Sequence, residues 1–196
     1  MKNIIKNRIG EILVEHANVI DNLLSENDHA IEKVVHLMIS AVRNHKKIIW
    51  CGNGGSAADA QHMAAELMGG LRNHDRPAIP SIALTTDSSF ITAWSNDVNY
   101  ESIFKRQIEG LGEAGDVLIA ISTSGNSENV IRGIDTAEKM GIHIVVLTGR
   151  DGGKMKARGD VVICVPSDDT QRIQEGHLLV EHILCELVEF ALSSGE

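Results

Sequence analysis

Residues 113–148, EAGDVLIAISTSGNSENVIRGIDTAEKMGIHIVVLT, decide the fold. They read as a strand (117–121), a turn of small polar residues and glycine (Ser122-Thr123-Ser124-Gly125-Asn126-Ser127), a helix (128–139), Gly141 and a second strand (142–147). That order is a βαβ unit. The turn between the buried strand and the helix carries the hydroxyls of Ser122, Thr123, Ser124 and Ser127. The helix start adds unpaired N–H groups and the positive end of its dipole, so this mouth suits an anion, phosphate above all.

Four further segments fall into place around this unit. Residues 48–51, IIWC, form a strand that runs into Gly52-Asn53-Gly54-Gly55-Ser56, and Ser56 with Asp59 resembles a capping box opening a helix over 57–68. The GNGGS turn reads either as a second ligand loop, whose glycines let backbone N–H groups approach an anion, or as an ordinary turn. Residues 78–84 form a strand followed by the hydroxyl-bearing turn Thr85-Thr86-Asp87-Ser88, and 161–165 form another, closed by Pro166. Helices are expected over 100–111 and 170–192. Several of the apolar runs lack strict alternation, as strands covered on both faces do. The economical fold is α/β, a three-layer αβα sandwich around a five-stranded parallel sheet, with ligands held beyond the carboxyl ends of the strands.

Ahead of the first strand, residues 3–20 and 29–42 each show apolar residues at helical spacing, giving two N-terminal helices. That is more helix than one face of a small sheet requires. The first helix therefore packs on another copy of the chain or covers the chain's own core.

The length of 196 residues allows one substantial core and a single domain over 1–196. A formal charge of −9, from 27 acidic and 18 basic residues, disfavours nucleic acid as a partner, although a small phosphate site needs only local neutralising groups. The amphipathic start, with Glu11 and Glu15 inside it, reads as neither a signal peptide nor a membrane span, so the expected location is the cytoplasm and no membrane contact is expected. Cys51, Cys164 and Cys185 lack CxxC spacing and read as buried thiols of a reducing compartment.

Candidate chemistry lies on two helices. His62 and Glu66, four residues apart, share a helix face at about 6 Å along the axis. They could bind a metal, divide a proton transfer, or form a plain surface pair. On the last helix Gln174, Leu178 and His182 form an i, i+4, i+8 series, with His182 either functional or a satisfied core histidine. His177 has no clear partner and reads as a surface or interface residue.

Four fragments, CGNGGSAADAQHMAAEL (51–67), AISTSGNSENVIRG (120–133), LTGRDGGKM (147–155) and RIQEGHLLVEHIL (172–184), together resemble the bacterial phosphoheptose isomerases of the sugar isomerase (SIS) superfamily, over nearly the whole chain. The resemblance implies interconversion of D-sedoheptulose 7-phosphate and D-glycero-D-manno-heptose 7-phosphate, the entry step to the heptoses of lipopolysaccharide inner core. It implies a homotetramer with active sites at subunit contacts, the N-terminal 45 or so residues serving assembly. Glu66 is then like the general base and His182 like the general acid. His62, Glu66, Gln174 and His182 resemble the ligands of one Zn2+ per active site. Asn53, Gly54, Gly55, Ser56, Asp97, Ser122, Thr123, Ser124, Ser127 and Gln174 look like substrate contacts. Because Gln174 and His182 are separated by a rise of about 12 Å on one helix, the zinc reading requires a ligand from a neighbouring copy.

The chain departs from the family's pattern in having Gly70 where arginine is common, with Arg72 nearby, and Gln171 where some members carry aspartate. The rival classes are a non-catalytic relative that binds a replication initiator, a sugar-phosphate-sensing module, and an isomerase of another sugar phosphate. Retention of both Glu66 and His182 favours an enzyme over the non-catalytic relative, and an isomerase of another sugar phosphate stays open.

Overall fold

The computed structural model describes residues 2–194. Five parallel strands, β1 (Ile48–Cys51), β2 (Ser81–Ala83), β3 (Val117–Ser122), β4 (His143–Gly149) and β5 (Val161–Val165), lie in the order β2-β1-β3-β4-β5. The expected sheet and αβα layering are present. The strand order reverses between β1 and β3, whose carboxyl ends therefore border the crevice where a ligand sits in this kind of sheet.

Alternation along each strand sorts side chains into two cores. Ile48, Trp50, Val117, Ile119, Val145 and Leu147 face the layer formed by α1 (Lys2–Arg43), α2 (Gly55–Gly69) and α6 (Thr170–Ser193). Ile49, Cys51, Leu118, Ala120, Ile144 and Val146 face the layer of α3 (Ser88–Asp97), α4 (Ile103–Leu111) and α5 (Glu128–Lys139). Every residue of β3 is buried, which explains why its sequence is a continuous apolar run.

Three boundaries differ from the sequence reading. The two expected N-terminal helices are one helix, α1, of 42 residues. The stretch around Asn27 does not break it because Leu23 is fully buried and Asn27 Nδ2 donates to the carbonyls of Leu23 (3.0 Å) and Cys164 (3.3 Å). Tertiary contact overrides weak local propensity there. From Leu23 onward α1 covers the sheet, whereas Ile4, Ile5, Ile9, Leu13 and Val14 leave an apolar stripe exposed on its first half. Helix α3, which went unrecognised, has no fully buried residue and so only a faint apolar stripe. Its start is fixed by Asp87, whose carboxylate accepts from Phe90 N at 2.9 Å. The expected strand over 78–84 shrinks to Ser81–Ala83. All three cysteines are free thiols, Cys51 and Cys185 buried and Cys164 half-buried. No helix among the described residues is long and apolar enough to cross a membrane.

Candidate active site

Two turns meet at the switch point. After β3, Ser122 and Ser127 bring their hydroxyl oxygens within 2.9 Å of each other, Ser124 Oγ lies 3.5 Å from Ser122 Oγ, and Thr123 stands between them in the chain. Gly125 lets this turn close: at φ 62°, with Gly152 O only 2.0 Å from where a Cβ would stand, no other residue fits. Ser127 is the N-cap of α5 and makes no side-chain cap bond; its hydroxyl pairs with Ser122 and leaves the first-turn N–H groups uncapped by it.

After β1, helix α2 begins at Gly55, with Gly54 as N-cap at φ 58°. The expected Ser56–Asp59 capping box does not form, because Ser56 lies inside the first turn, buried, and no side chain caps the helix. Gly55 packs against Gln174 of α6: a Cβ there would come within 2.5 Å of Gln174 Nε2. The turn and α6 are thus in direct contact.

About two and three turns further along α2 stand His62 and Glu66, with His62 Nε2 3.1 Å from Glu66 Oε1. The His182 ring from α6 meets the His62 ring edge-on, centroids 5.0 Å apart at 80°. His182 Nδ1 donates to the carbonyl of Leu178 at 2.9 Å, which leaves Nε2 as the nitrogen that can exchange a proton with a ligand. The group is partly open, the side chains of His62 and Glu66 being 45% and 22% exposed.

The zinc expectation is overturned. Among the described residues no group of three or more His, Cys, Asp or Glu side chains could hold a metal ion. His62 and Glu66 are hydrogen-bonded to each other, and the Gln174 amide lies against the GNGGS backbone. The arrangement is a hydrogen-bonded acid–base group rather than an ion cage, and the argument for a ligand from a neighbouring copy falls with it.

Other sequence-predicted residues are distributed as follows. Asn53 exchanges two hydrogen bonds with the side chain of Asn129, at 2.9 and 2.8 Å. Asp97 ends α3, exposed, and accepts from Asn96 Nδ2 at 2.8 Å. Arg72 points outward, its guanidinium 3.1 Å from Glu186. Gly70 adopts φ 104° as the C-cap of α2, and a Cβ would lie 2.5 Å from Asn73 O, so an arginine would not fit this backbone. His177 contradicts its reading as a surface or interface residue: it is fully buried, and Nε2 donates to Thr148 O at 2.9 Å. Its partner is a backbone atom from β4, which side-chain spacing could not reveal.

Comparison with known proteins bears directly on this geometry. Residues 13–149 match the family described as SIS domain. The phosphoheptose isomerase of Sulfurimonas denitrificans is 54% identical over 169 residues, spanning 86% of this chain and 84% of the relative. That of Helicobacter pylori strain P12 is 49% identical over 174 residues, 89% of this chain and 90% of the relative. Among solved structures, the phosphoheptose isomerase of Neisseria gonorrhoeae superimposes with a TM-score of 0.89 at 41% identity, covering 94% of this chain and 98% of that one. The chain belongs to the phosphoheptose isomerase family.

Two supporting features of this family member escaped sequence reasoning. Arg76 and Glu189 form a buried pair at 2.8 Å, each side chain 4% exposed. Glu189 also accepts from the backbone N–H groups of Leu71, Arg72 and Asn73 at 2.7–2.9 Å, and Arg76 donates to the carbonyl of Glu66 at 3.0 Å. Burial alone would raise the Glu189 carboxyl, but these donors outweigh it and hold it below the usual range. The pair ties the end of α2 to α6. The second feature is Glu181, fully buried, with neither carboxyl oxygen hydrogen-bonded. Burial first, and then the charge of Asp59 on α2, push its carboxyl well up. Asp59 is raised by its own partial burial, against the pull of His62 and His182. The α2–α6 seam thus carries two carboxyls that burial pushes up.

Proposed function

We propose that the chain interconverts D-sedoheptulose 7-phosphate and D-glycero-D-manno-heptose 7-phosphate, the first step toward ADP-heptose for lipopolysaccharide inner core. Membership in the phosphoheptose isomerase family makes it an intramolecular aldose–ketose isomerase. The observation that carries the reading is that His182 of α6 meets His62 and Glu66 on the helix that follows a turn packed on Gln174 and bonded through Asn53 to Asn129 at the start of α5.

In this reading the phosphate sits against Ser122, Thr123, Ser124, Ser127 and the start of α5, where hydroxyls and helix N–H groups donate to its oxygens. Backbone N–H groups of Gly54, Gly55 and Ser56 border the sugar, and Asn53, Asp97 and Gln174 contact its other oxygens. The Glu66 carboxylate removes the proton from C1 to give an enediol and returns it to C2. The His62 contact at 3.1 Å orients that carboxylate. His182, with Nε2 free, moves protons between O1 and O2. Each role calls for a group of the kind this geometry supplies.

The whole chain, 1–196, acts as one SIS domain whose N-terminal helix assembles copies, and the exposed apolar stripe of Ile5, Ile9 and Leu13 supports that assembly. A homotetramer with active sites at subunit contacts accords with the open setting of His62. The cytoplasm is the site of action, where phosphorylated sugars are made. The test is incubation of the purified protein with D-sedoheptulose 7-phosphate: the expected result is the aldose heptose 7-phosphate, and no aldose product would contradict the assignment.

A further inference from the structure

A reciprocal amide pair ties the GNGGS turn to the first turn of α5, directly after the β3 turn. Asn53 Nδ2 donates to Asn129 Oδ1 at 2.9 Å, and Asn129 Nδ2 donates back to Asn53 Oδ1 at 2.8 Å. The Tyr100 hydroxyl donates to the same Asn53 oxygen at 2.7 Å. Asn129 Oδ1 further accepts from Val130 N at 3.0 Å, and the residue is 3% exposed. Both lone pairs of Asn53 Oδ1 and one of its N–H groups are therefore engaged, leaving a single N–H to offer a ligand.

Each partner is adjacent in the chain to a different part of the proposed substrate site. Asn53 lies in the GNGGS turn, Asn129 follows Ser127 by two residues, and Tyr100 follows Asp97 by three. A sugar phosphate must be held by its phosphate at one turn while its reacting carbons reach Glu66 on the helix that springs from the other. The spacing of the turns decides where those carbons fall, and a displacement of about 1 Å can cost about 100-fold in rate.

We infer that Asn129 and Tyr100 are positioning residues for the isomerisation, locking Asn53 so that the two turns and the Asp97 end of α3 keep one spacing. This rests on the proposed function for its consequence, but the lock itself is a property of the free protein. A neighbouring bond of similar kind, Trp94 Nε1 to Ser102 Oγ at 2.8 Å, touches neither turn and supplies the control.

The experiment measures hydrogen exchange and sedoheptulose 7-phosphate kinetics on the full chain carrying Tyr100→Phe, Asn129→Asp or Ser102→Ala. Asn129→Asp keeps the acceptor for Val130 N but loses the donor to Asn53, so it does not depend on tolerating a hole. Expected are faster exchange at residues 52–56 and 122–128 in the first two variants, and a fall in kcat/KM of about fivefold or more, one neutral hydrogen bond's worth. The double variant should fall by much less than the product of the two, because either change opens the same lock. Ser102→Ala should move neither turn. Exchange changes confined to residues 98–103, or an equal response in Ser102→Ala, would overturn the inference. Loosened turns in a protein whose parent makes no aldose would leave the lock standing and remove the assigned reaction instead.

Discussion

Arg76 donates from Nε to Glu189 at 2.8 Å while a second guanidinium nitrogen donates to the carbonyl of Glu66 at 3.0 Å. One side chain thus neutralises a buried carboxylate and fastens the backbone of the proposed base. Arg76→Ala leaves Glu189 without its counter-ion, held only by the N–H groups of Leu71, Arg72 and Asn73, and the loss should approach the cost of breaking a buried pair, at most about 3–5 kcal/mol. Urea denaturation should show a drop of that order in the midpoint-derived stability. An unchanged midpoint would mean that the pair does not hold α2 to α6.

Gly55→Ala tests the contact between the GNGGS turn and α6. The added Cβ would lie 2.5 Å from Gln174 Nε2, so either the amide or the turn must shift. The expected outcome is a fall in kcat/KM of about tenfold or more with a modest change in melting temperature, since Gln174 is a side-chain end that can swing aside. Parent-like kinetics would show that Gln174 has no bearing on the substrate.

Ser124→Ala removes an exposed hydroxyl at the proposed phosphate turn. It should chiefly raise KM, by roughly fivefold to tenfold, with kcat little altered. Titration with the phosphosugar checks this, and unchanged binding would move the phosphate elsewhere.

His177 predicts a pH dependence of folding. Burial lowers its ring from the usual 6.5 to about 4, against the smaller opposing effect of the Thr148 carbonyl. Between those values the unfolded chain binds a proton that the folded chain does not, so stability rises with pH across that window. The contribution is fully present above about 6.5 and is lost as pH falls toward 4, amounting to about 3 kcal/mol. Denaturation of the parent and of His177→Gln at several pH values should show the acid-side loss reduced in the variant. Equal slopes would assign the loss to other groups.

The sequence displayed the β3–α5–β4 unit clearly because its chemistry is local: Val117–Ile121 and Ile144–Leu147 are continuous apolar runs, and α5 carries Val130, Ile131, Ile134 and Ala137 on one buried stripe. The i, i+4 pairing of His62 and Glu66 was legible for the same reason. What failed depended on distant partners. Asn27 keeps α1 continuous through a carbonyl on β5, and His177 is buried with one ring nitrogen donating to a carbonyl on β4. Side-chain spacing pairs residues on one helix but cannot say how α2 and α6 face each other, and the zinc reading failed there: among the described residues no three His, Cys, Asp or Glu side chains come together to hold an ion. Helix α3 hid for lack of a buried stripe.

Conversion by Glu66→Gln tests the account most directly. The amide keeps the shape of the side chain and a contact to His62 but cannot accept the C1 proton. Turnover of D-sedoheptulose 7-phosphate should fall by about 100-fold or more while affinity for the phosphosugar stays close to the parent's. Turnover equal to the parent's would show that Glu66 is not the base.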